Sequence, residues 1–346
     1  MQRLRRVVLG ALLLASCAPA ASPTVPPPAA GPPAGGDAPA SPVPLLAVRA
    51  AYAAPGAALT PVWVAQERGL FRAQGLEVEL IFLSGTRTDQ GVITGDTPIG
   101  FGANVIPTRL NGADIVAIAG VVNRISFTLF VQPGISSPSE LRGKTAVTTL
   151  PGSSTHSATL IALRRLGLEP GRDVAIQPSP GTTEQLAIMT QGLADAALFS
   201  PPTDLKALEA GLVPLLNLAE LNIPFMQTAI GTSQAYAREH PEEIRRFLRG
   251  YITAVALARA DVETTKAIIG KYTQTDDPAI LDHAYRYYRD IWGRPDFRVR
   301  PEAVESILRV LDVPGADTAQ PTDFIDNRFI DELEQAGFIR QVAPFD

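Results

Sequence analysis

The chain has 346 residues, of which 46% are hydrophobic and 19% charged, with a formal net charge of −5 and a single cysteine. This length supports one large domain or two of ordinary size, each with a buried core. The acidic balance argues against a nucleic-acid-binding protein. One cysteine and three widely spaced histidines exclude an internal disulfide and the common thiolate or HExxH metal sites, so we expect no metal and no cofactor.

The N-terminal segment is typical of an export signal. Three arginines within the first six residues precede the apolar run 7–15, which is too short to span a bilayer, since a spanning helix needs roughly 20 residues. The run ends in Leu-Ala-Ser-Cys at Cys17, which resembles a bacterial lipobox, where the cysteine is lipidated and becomes the mature N-terminus. An ordinary signal peptide cleaved near 18–20 is the alternative. We predict a signal peptide over 1–16 and lipidation of Cys17.

A proline-rich spacer follows the cysteine. Residues 18–44 hold ten prolines among alanine, glycine and serine. This composition has too few apolar side chains for a core and favours extended conformers. We predict that residues 17–44 form a lipidated Pro/Ala-rich tether, which holds a folded body outside the cytoplasm and close to a membrane.

From residue 45 onward the sequence alternates between strand and helix patterns. Thr60-Pro61 suits a helix start, because a hydroxyl residue often caps a helix and proline is tolerated in its first turn. The β-α-β-α-β order of this first unit predicts a largely parallel sheet with helices on both faces. Its predicted strands are 45–52, 77–82, 97–101 and 115–120, and its predicted helices are 60–74, 88–94 and 104–111.

A second α/β unit begins near residue 133, and a helical region follows it. The second unit has predicted strands at 145–149, 173–177, 196–199 and 213–216, with helices starting at 152, 183 and 202. The later predicted helices are 233–239, 241–260, 262–272, 278–292, 301–311 and 326–336. We predict two α/β lobes, with a ligand cleft between them and the helical C-terminal region packed on lobe 1. Lobe 1 comprises 45–132 plus 225–346, lobe 2 comprises 133–224, and the chain crosses between them near 130–132 and 224–229.

Several short segments, in this order and spacing, resemble a known family. They are PVWVAQERGLF at 61–71, GLEVEL at 75–80, LRGK at 141–144, GSS at 152–154, GLEPGRDV at 167–174, GLADAA at 192–197 and HPE at 240–242. Together they are similar to the periplasmic substrate-binding proteins of the nitrate/sulfonate/taurine type, close to the thiamine-precursor-binding group. The resemblance covers roughly residues 45–340. It implies a type II periplasmic-binding-protein fold, closure of two lobes around a small solute, and delivery of that solute to an ABC permease. On this basis we expect a monomer.

Candidate solute contacts lie on loops that end strands and start helices, where unpaired amides and partial positive charge favour polar or anionic groups. The strongest candidate is the Gly-Ser-Ser-Thr run at 152–155. Each segment also fits a plain helix cap or tight turn. The full set of candidates is Thr60, Ser84, Gly85, Thr86, Asn104, Gly152, Ser153, Ser154, Thr155, Ser200, Gln227 and Thr228.

Three further residues have two interpretations each. Trp63 can stack on a flat solute or pack in the core, His156 can sense protonation in the cleft or lie in a helical turn, and Arg87 can hold an anion or face solvent. The sequence leaves a sulfonate, nitrate, a carboxylate and a pyrimidine-like solute open.

Two other function classes are alternatives to a solute receptor. One is a ligand-sensing domain for a membrane signalling partner. The other is an enzyme on the same scaffold, which we do not expect, because the sequence has no GxSxG, P-loop or clustered histidines and carboxylates.

Overall fold

The computed structural model describes residues 44–84, 86–294 and 296–342. The predicted signal peptide, Cys17 and the tether up to residue 43 lie outside the described residues, as does the candidate contact Gly85. Within the described residues, the strands are β1 (Leu46–Tyr52), β2 (Leu76–Phe82), β3 (Ile99–Phe101), β4 (Val116–Arg124), β5 (Thr128–Val131), β6 (Lys144–Thr148), β7 (Val174–Pro178), β8 (Ala196–Phe199), β9 (Val213–Asn217) and β10 (Pro224–Thr232).

The α-helices of the same residues occupy most of the predicted positions. They are α1 (Thr60–Glu67), α2 (Leu70–Ala73), α3 (Arg87–Thr94), α4 (Val105–Leu110), α5 (Ser154–Arg165), α6 (Thr182–Thr190), α7 (Thr203–Glu209), α8 (Gln234–Glu239), α9 (Pro241–Ala260), α10 (Val262–Thr273), α11 (Pro278–Arg289), α12 (Pro301–Leu308), α13 (Arg328–Gln335) and α14 (Phe338–Val342). The predicted helix 60–74 is interrupted at Gly69, whose φ of 64° is left-handed and breaks the helical path.

The strands form two five-stranded sheets, one in each lobe. The first has the order β2-β1-β3-β10-β4 and the second the order β7-β6-β8-β5-β9. Within them β1 runs parallel to β2 and β3, and β6 runs parallel to β7 and β8. The carboxyl ends of these parallel strands carry the loops at which a ligand site is expected.

Two strands were not predicted, and both run antiparallel to their neighbours. β10 pairs antiparallel with β3 and β4, and β5 pairs antiparallel with β8 and β9. The sequence pattern predicts these two segments as crossings between the lobes. Two consecutive strands that run parallel in one sheet must be joined by a crossover segment, usually a helix. β5 and β10 have no such connection, because each enters its sheet directly from the other lobe. The sheets are therefore mixed, and the crossings lie at 125–127 and 218–223. The predicted lobe boundary at residue 133 falls after β5, which belongs to the second sheet.

The C-terminal helices pack on the first sheet, as the sequence predicted. α9, α10, α11 and α13 share one hydrophobic cluster with β1, β3 and β4. Trp63 on α1 is fully buried and stacks on Tyr272 with ring centroids 4.6 Å apart. The indole of Trp292, after α11, donates a hydrogen bond to the Ala58 carbonyl at 3.1 Å. This packing fixes the helical region to lobe 1.

A second hydrophobic cluster joins the two lobes. It contains Ile161 of α5 and Val174 of β7 in the second lobe, together with Val304 and Ile307 of α12 and Phe225 of β10. The described residues consequently form one compact unit. Across these residues no helix has both the length and the apolar composition to cross a membrane.

Candidate functional site

A narrow pocket opens where loops of the two lobes meet. It is bounded by the start of α4 from the first sheet, the start of α5 from the second sheet, and β10. Its empty volume is about 380 Å³ when the open mouth is included. The lining residues are Gly102, Ala103, Asn104, Val105, Ile106, Pro107, Gly152, Ser154, Ser157, Met226, Gln227, Ala229 and Ile307.

The loop before α5 comes close to the start of α4, and this close contact depends on Gly152. Its φ is +80°, a conformation that favours glycine. A Cβ atom at this position would lie only 3.0 Å from the Cβ and Cγ atoms of Pro107 at the start of α4. Gly152 therefore lets a loop of the second lobe contact a helix of the first.

The Gly-Ser-Ser-Thr run at 152–155 divides into capping residues and pocket residues. Ser153 is the N-cap of α5, and its Oγ accepts a hydrogen bond from the His156 amide at 3.2 Å. Ser153 Oγ also lies 2.6 Å from Thr149 Oγ1, and Thr155 Oγ1 accepts from the Thr149 amide at 3.3 Å. Gly152 and Ser154 line the pocket instead, and Ser154 is half-buried.

Ser157, one turn into α5, also lines the pocket. Its side chain is fully buried, and its Oγ has no hydrogen-bond partner among the described residues. A buried hydroxyl without a partner costs free energy, about 1–3 kcal/mol. Such a group is a candidate contact for a polar ligand. Ser157 is not among the contacts that the sequence predicts, although its position three residues after Ser154 places both on one helix face.

A buried carboxylate lies directly behind the α4 side of the pocket. Asp89 accepts hydrogen bonds from the Asn104 amide at 2.7 Å, from Asn104 Nδ2 at 3.0 Å and from Thr108 Oγ1 at 3.3 Å. Burial raises the pKa of Asp89, and these hydrogen bonds oppose that shift. Asn104 therefore lines the pocket with its main-chain N–H and side-chain amide already bound to Asp89.

Gln227 on β10 is another of the lining residues. Its Oε1 accepts from the Ser126 amide at 2.7 Å, and its Nε2 donates to Ser126 Oγ at 2.6 Å. Because Ser126 lies in the crossing 125–127, this pair ties that crossing to β10. The neighbouring Thr228 is not among the residues that line the pocket.

The predicted contacts Thr60, Ser84, Thr86 and Ser200 are not among the residues that line this pocket. Thr60 is fully buried, and its hydroxyl donates to the Ala57 carbonyl at 2.7 Å. Ser84, Thr86 and the adjacent Arg87 are exposed. Ser200 lies at the start of the turn into α7, where its carbonyl accepts from the Thr203 amide at 2.9 Å.

The structure places Trp63 in the core rather than against a solute, and it places His156 in the first turn of α5. Trp63 stacks on Tyr272, so its face is covered by protein. His156 Nδ1 lies 3.2 Å from the Gly152 amide and accepts its hydrogen bond. Burial lowers the pKa of His156, which favours the neutral ring.

A separate polar contact joins the two lobes. His283 Nε2 on α11 lies 2.8 Å from Asp204 Oδ2 on α7, which follows a strand of the second sheet. The hydrogen bond to Asp204 raises the pKa of His283. Nearby, burial raises the pKa of Tyr288 to about 12, while hydrogen bonds to Ser200 and Ser126 oppose that shift. In the described part of the chain, no group of three or more His, Cys, Asp or Glu residues is arranged to hold a metal ion.

Comparisons with known proteins agree with this architecture. A family model described as "NMT1/THI5 like" matches residues 57–264. A protein from Bordetella bronchiseptica RB50 has 20% sequence identity and a TM-score of 0.70, and the alignment covers 84% of this chain and 98% of that one.

Two further solved structures of similar fold are solute-binding proteins. The alkanesulfonate-binding protein SsuA from Xanthomonas axonopodis pv. citri, bound to MOPS, has 16% identity and a TM-score of 0.64, with 77% of this chain and 91% of that chain covered. The periplasmic nitrate-binding protein NrtA from Synechocystis PCC 6803 has 12% identity and a TM-score of 0.66, with 84% and 89% covered. A search of curated protein sequences found no match. At these identities the structural matches establish the fold.

Proposed function

The chain belongs to the NMT1/THI5-like family, and from that membership we propose that it is an extracytoplasmic solute-binding protein of an ABC importer. It captures a small polar or anionic solute between its two lobes and presents the closed form to a permease in the membrane. The solute classes considered are sulfonates, nitrate, carboxylates and pyrimidine-like rings. Its structural neighbours include a sulfonate-binding and a nitrate-binding protein, which supports this proposal.

One observation carries the proposal, namely the pocket at the meeting of the two lobes. It lies beside the carboxyl ends of parallel strands from both sheets, where α/β proteins bind small ligands. Ser157, whose hydroxyl is buried without a partner in the described residues, is one of its lining residues. A bound solute would supply that partner.

Capture is coupled to closure of the lobes. The Gly152 loop of the second lobe and the α4 start of the first lobe form opposite walls of the pocket. A solute that contacts both walls binds the closed arrangement more tightly than an open one, so it shifts the population toward closure. The contact between His283 and Asp204 favours the same closed arrangement.

We propose binding rather than catalysis at this pocket. Its lining residues include no histidine, cysteine, acidic residue or lysine that would act as an acid, base or nucleophile. The sole cysteine of the chain is Cys17, which lies in the predicted signal and tether region.

A thermal-shift screen on the full chain tests solute capture. A solute present at 100 times its dissociation constant adds about 2.7 kcal/mol to the free energy of unfolding, which raises the melting temperature by several degrees. We expect at least one solute from the four classes to do so. If none of them raises the melting temperature, the solute-receptor proposal fails for these classes.

Membrane attachment is tested separately through Cys17. We propose that this residue carries the lipid anchor and that the mature protein is a monomer at the outer face of a membrane. Cys17→Ser removes the acceptor thiol, so the variant is expected to leave the membrane fraction while the unmodified chain stays in it. A variant that remains membrane-bound after cell fractionation contradicts the lipidation proposal and leaves solute binding unaffected.

A further inference from the structure

Helix α11 belongs to the first lobe but contacts the second lobe through polar side chains. His283 Nε2 lies 2.8 Å from Asp204 Oδ2 on α7. Tyr288 forms hydrogen bonds with Ser200, which follows β8, and with Ser126 in the first crossing. Because the chain passes between the lobes only at the two crossings, a hinge rotation about them changes the separation of α11 and α7. The contact between the histidine and the carboxylate therefore depends on how the lobes are arranged.

Asp204 is a nearly buried carboxylate, and its residue is only 8% exposed. Its Oδ1 accepts a hydrogen bond from the Leu205 amide at 2.8 Å, and its Oδ2 lies against His283. Within the described ranges, its one ion-pair partner is His283. Burying a carboxylate is costly unless a cation and hydrogen-bond donors compensate for the lost hydration. Closure of the lobes thus places the carboxylate of one lobe against the histidine of the other.

The protonation state of His283 decides the strength of this contact. An ionised carboxylate only accepts hydrogen bonds, so Nε2 of the histidine carries the hydrogen. When Nδ1 is also protonated, both partners are charged and Coulomb attraction strengthens the hydrogen bond. The hydrogen bond to Asp204 raises the pKa of His283, while burial opposes that shift.

The ionisable groups on α11 and α10 are engaged with one another. α10 packs against α11, and its Lys266 lies 2.8 Å from Asp282, which also pairs with Arg286. The ring of Tyr287 is 6.2 Å from the ring of His283, and burial raises the pKa of this tyrosine, so it is neutral.

The charged groups of α7 and of the nearby crossing are placed away from the histidine. Lys206 and Glu209 follow Asp204 by two and five residues on α7, so they lie on other faces of that helix. Arg124, at the end of β4, donates to Asn222 Oδ1 at 3.2 Å. Asp204 is therefore the charge that responds to protonation of the histidine.

We infer that His283 and Asp204 form a proton-sensitive latch that favours closure of the two lobes. The closed arrangement holds the histidine proton more tightly than an open one, so falling pH moves the population toward closure. The contribution is complete below the ordinary pKa of histidine, about 6.5, and is lost as pH rises through the higher pKa of the closed form.

The latch makes solute capture depend on pH. Neither of its residues lines the pocket, so it acts on the population of the closed form rather than on the solute. A solute that binds the closed form is held more tightly where that form is more populated, which is at mildly acidic pH. This consequence rests on the proposed function and adds a regulatory contact to it.

Single-molecule FRET measures closure without a solute. Dyes are attached through Ile93→Cys in the first lobe and Leu193→Cys in the second, at positions that are 46% and 62% exposed, on the full chain with Cys17→Ser. The ratio of molecules with the interlobe separation of the structure to open molecules is expected to rise about threefold between about pH 8 and about pH 5.5, a factor in the range of a partly exposed ion pair.

Two variants remove the latch, and a third is the matched control. Asp204→Asn and His283→Gln each remove one partner and are expected to abolish the dependence of closure on pH. In the control, His240→Gln, a similar pair is lost, because His240 Nδ1 lies 2.7 Å from Glu243 Oε1. Both residues of that pair belong to the helical region of the first lobe, so the control should keep the pH dependence of the unmodified chain.

The outcomes separate the latch from the proposed function. A closed population that does not change with pH, or that changes equally in Asp204→Asn and the unmodified chain, overturns the latch. A closed population that falls with falling pH overturns it too, and is the result expected if protonation of His156 instead loosened the loop at Gly152. Solute capture itself is judged by the thermal-shift screen, so the two proposals fail in different experiments.

Discussion

Substitution of Gly152 by alanine probes the contact between the two lobes. The residue has a φ of +80°, which costs a residue with a side chain about 1–2 kcal/mol. The new Cβ would also lie 3.0 Å from two carbon atoms of Pro107, whereas carbon atoms pack best at about 3.5–4.0 Å. One of the two loops must therefore move by a few tenths of an ångström, and overpacking of this kind typically costs about 1–3 kcal/mol.

Gly167 provides the matched control for this substitution. It follows the C-terminus of the same helix with a φ of +73°, and a Cβ at that position would meet no atom within 4 Å. Gly167→Ala thus carries only the backbone strain of about 1–2 kcal/mol, whereas Gly152→Ala is expected to lose about 2–5 kcal/mol in total. Chemical denaturation of both variants measures the difference.

Solute binding separates the two variants further. Gly152→Ala displaces a pocket wall and is expected to weaken solute affinity about tenfold or more, in line with about 1.4 kcal/mol of lost interaction. Gly167→Ala should bind normally once the protein is folded. Equal losses of stability in the two variants, together with equal affinities, would refute the idea that Gly152 sets the spacing between the lobes.

Two further predictions concern charge and burial. The folded-state pKa of His283 is raised by Asp204, so the stabilisation by this pair is complete below the unfolded-state pKa of histidine and is lost as pH rises through the folded-state value. Asp204→Asn should therefore destabilise the chain most at mildly acidic pH, and a constant difference across pH would contradict this. Tyr251 is buried with no partner for its hydroxyl in the described residues; Tyr251→Phe is expected to leave stability unchanged or to raise it by about 1 kcal/mol, and a loss of stability in denaturant titrations would show a hidden partner.

Local sequence patterns predicted most elements of the fold. The helix starts at Thr60-Pro61 and Pro241 have proline in the first turn, as predicted. Thr60 is not the cap, however: the N-cap is Leu59, and the Thr60 hydroxyl donates to the Ala57 carbonyl instead. The strand Pro224–Thr232 was not predicted, because it is largely buried, begins with proline and shows no alternation of apolar and polar residues. Its partners are a hundred residues or more away in sequence, and pairing over that distance leaves no local signal.

Only part of the candidate site was predicted, because local patterns indicate some of its residues and the others depend on distant contacts. Gly152, Ser154, Asn104 and Gln227 lie at strand-to-helix junctions or near a crossing, and all four line the pocket. Helical spacing from Ser154 could also have indicated Ser157. By contrast, the contributions of Asp89 behind Asn104 and of Ile307 from a distant helix depend on tertiary packing, and a single sequence does not specify them.

Hydrogen exchange of the full chain, with and without a solute that raises its melting temperature, tests capture between two lobes most directly. The pocket walls at 102–107 and 152–157 come from different lobes. Slower exchange in both segments together, with little change over 241–273 in the helical region, is the expected result. Protection confined to one of the two walls, or found only outside them, would contradict solute capture between the lobes.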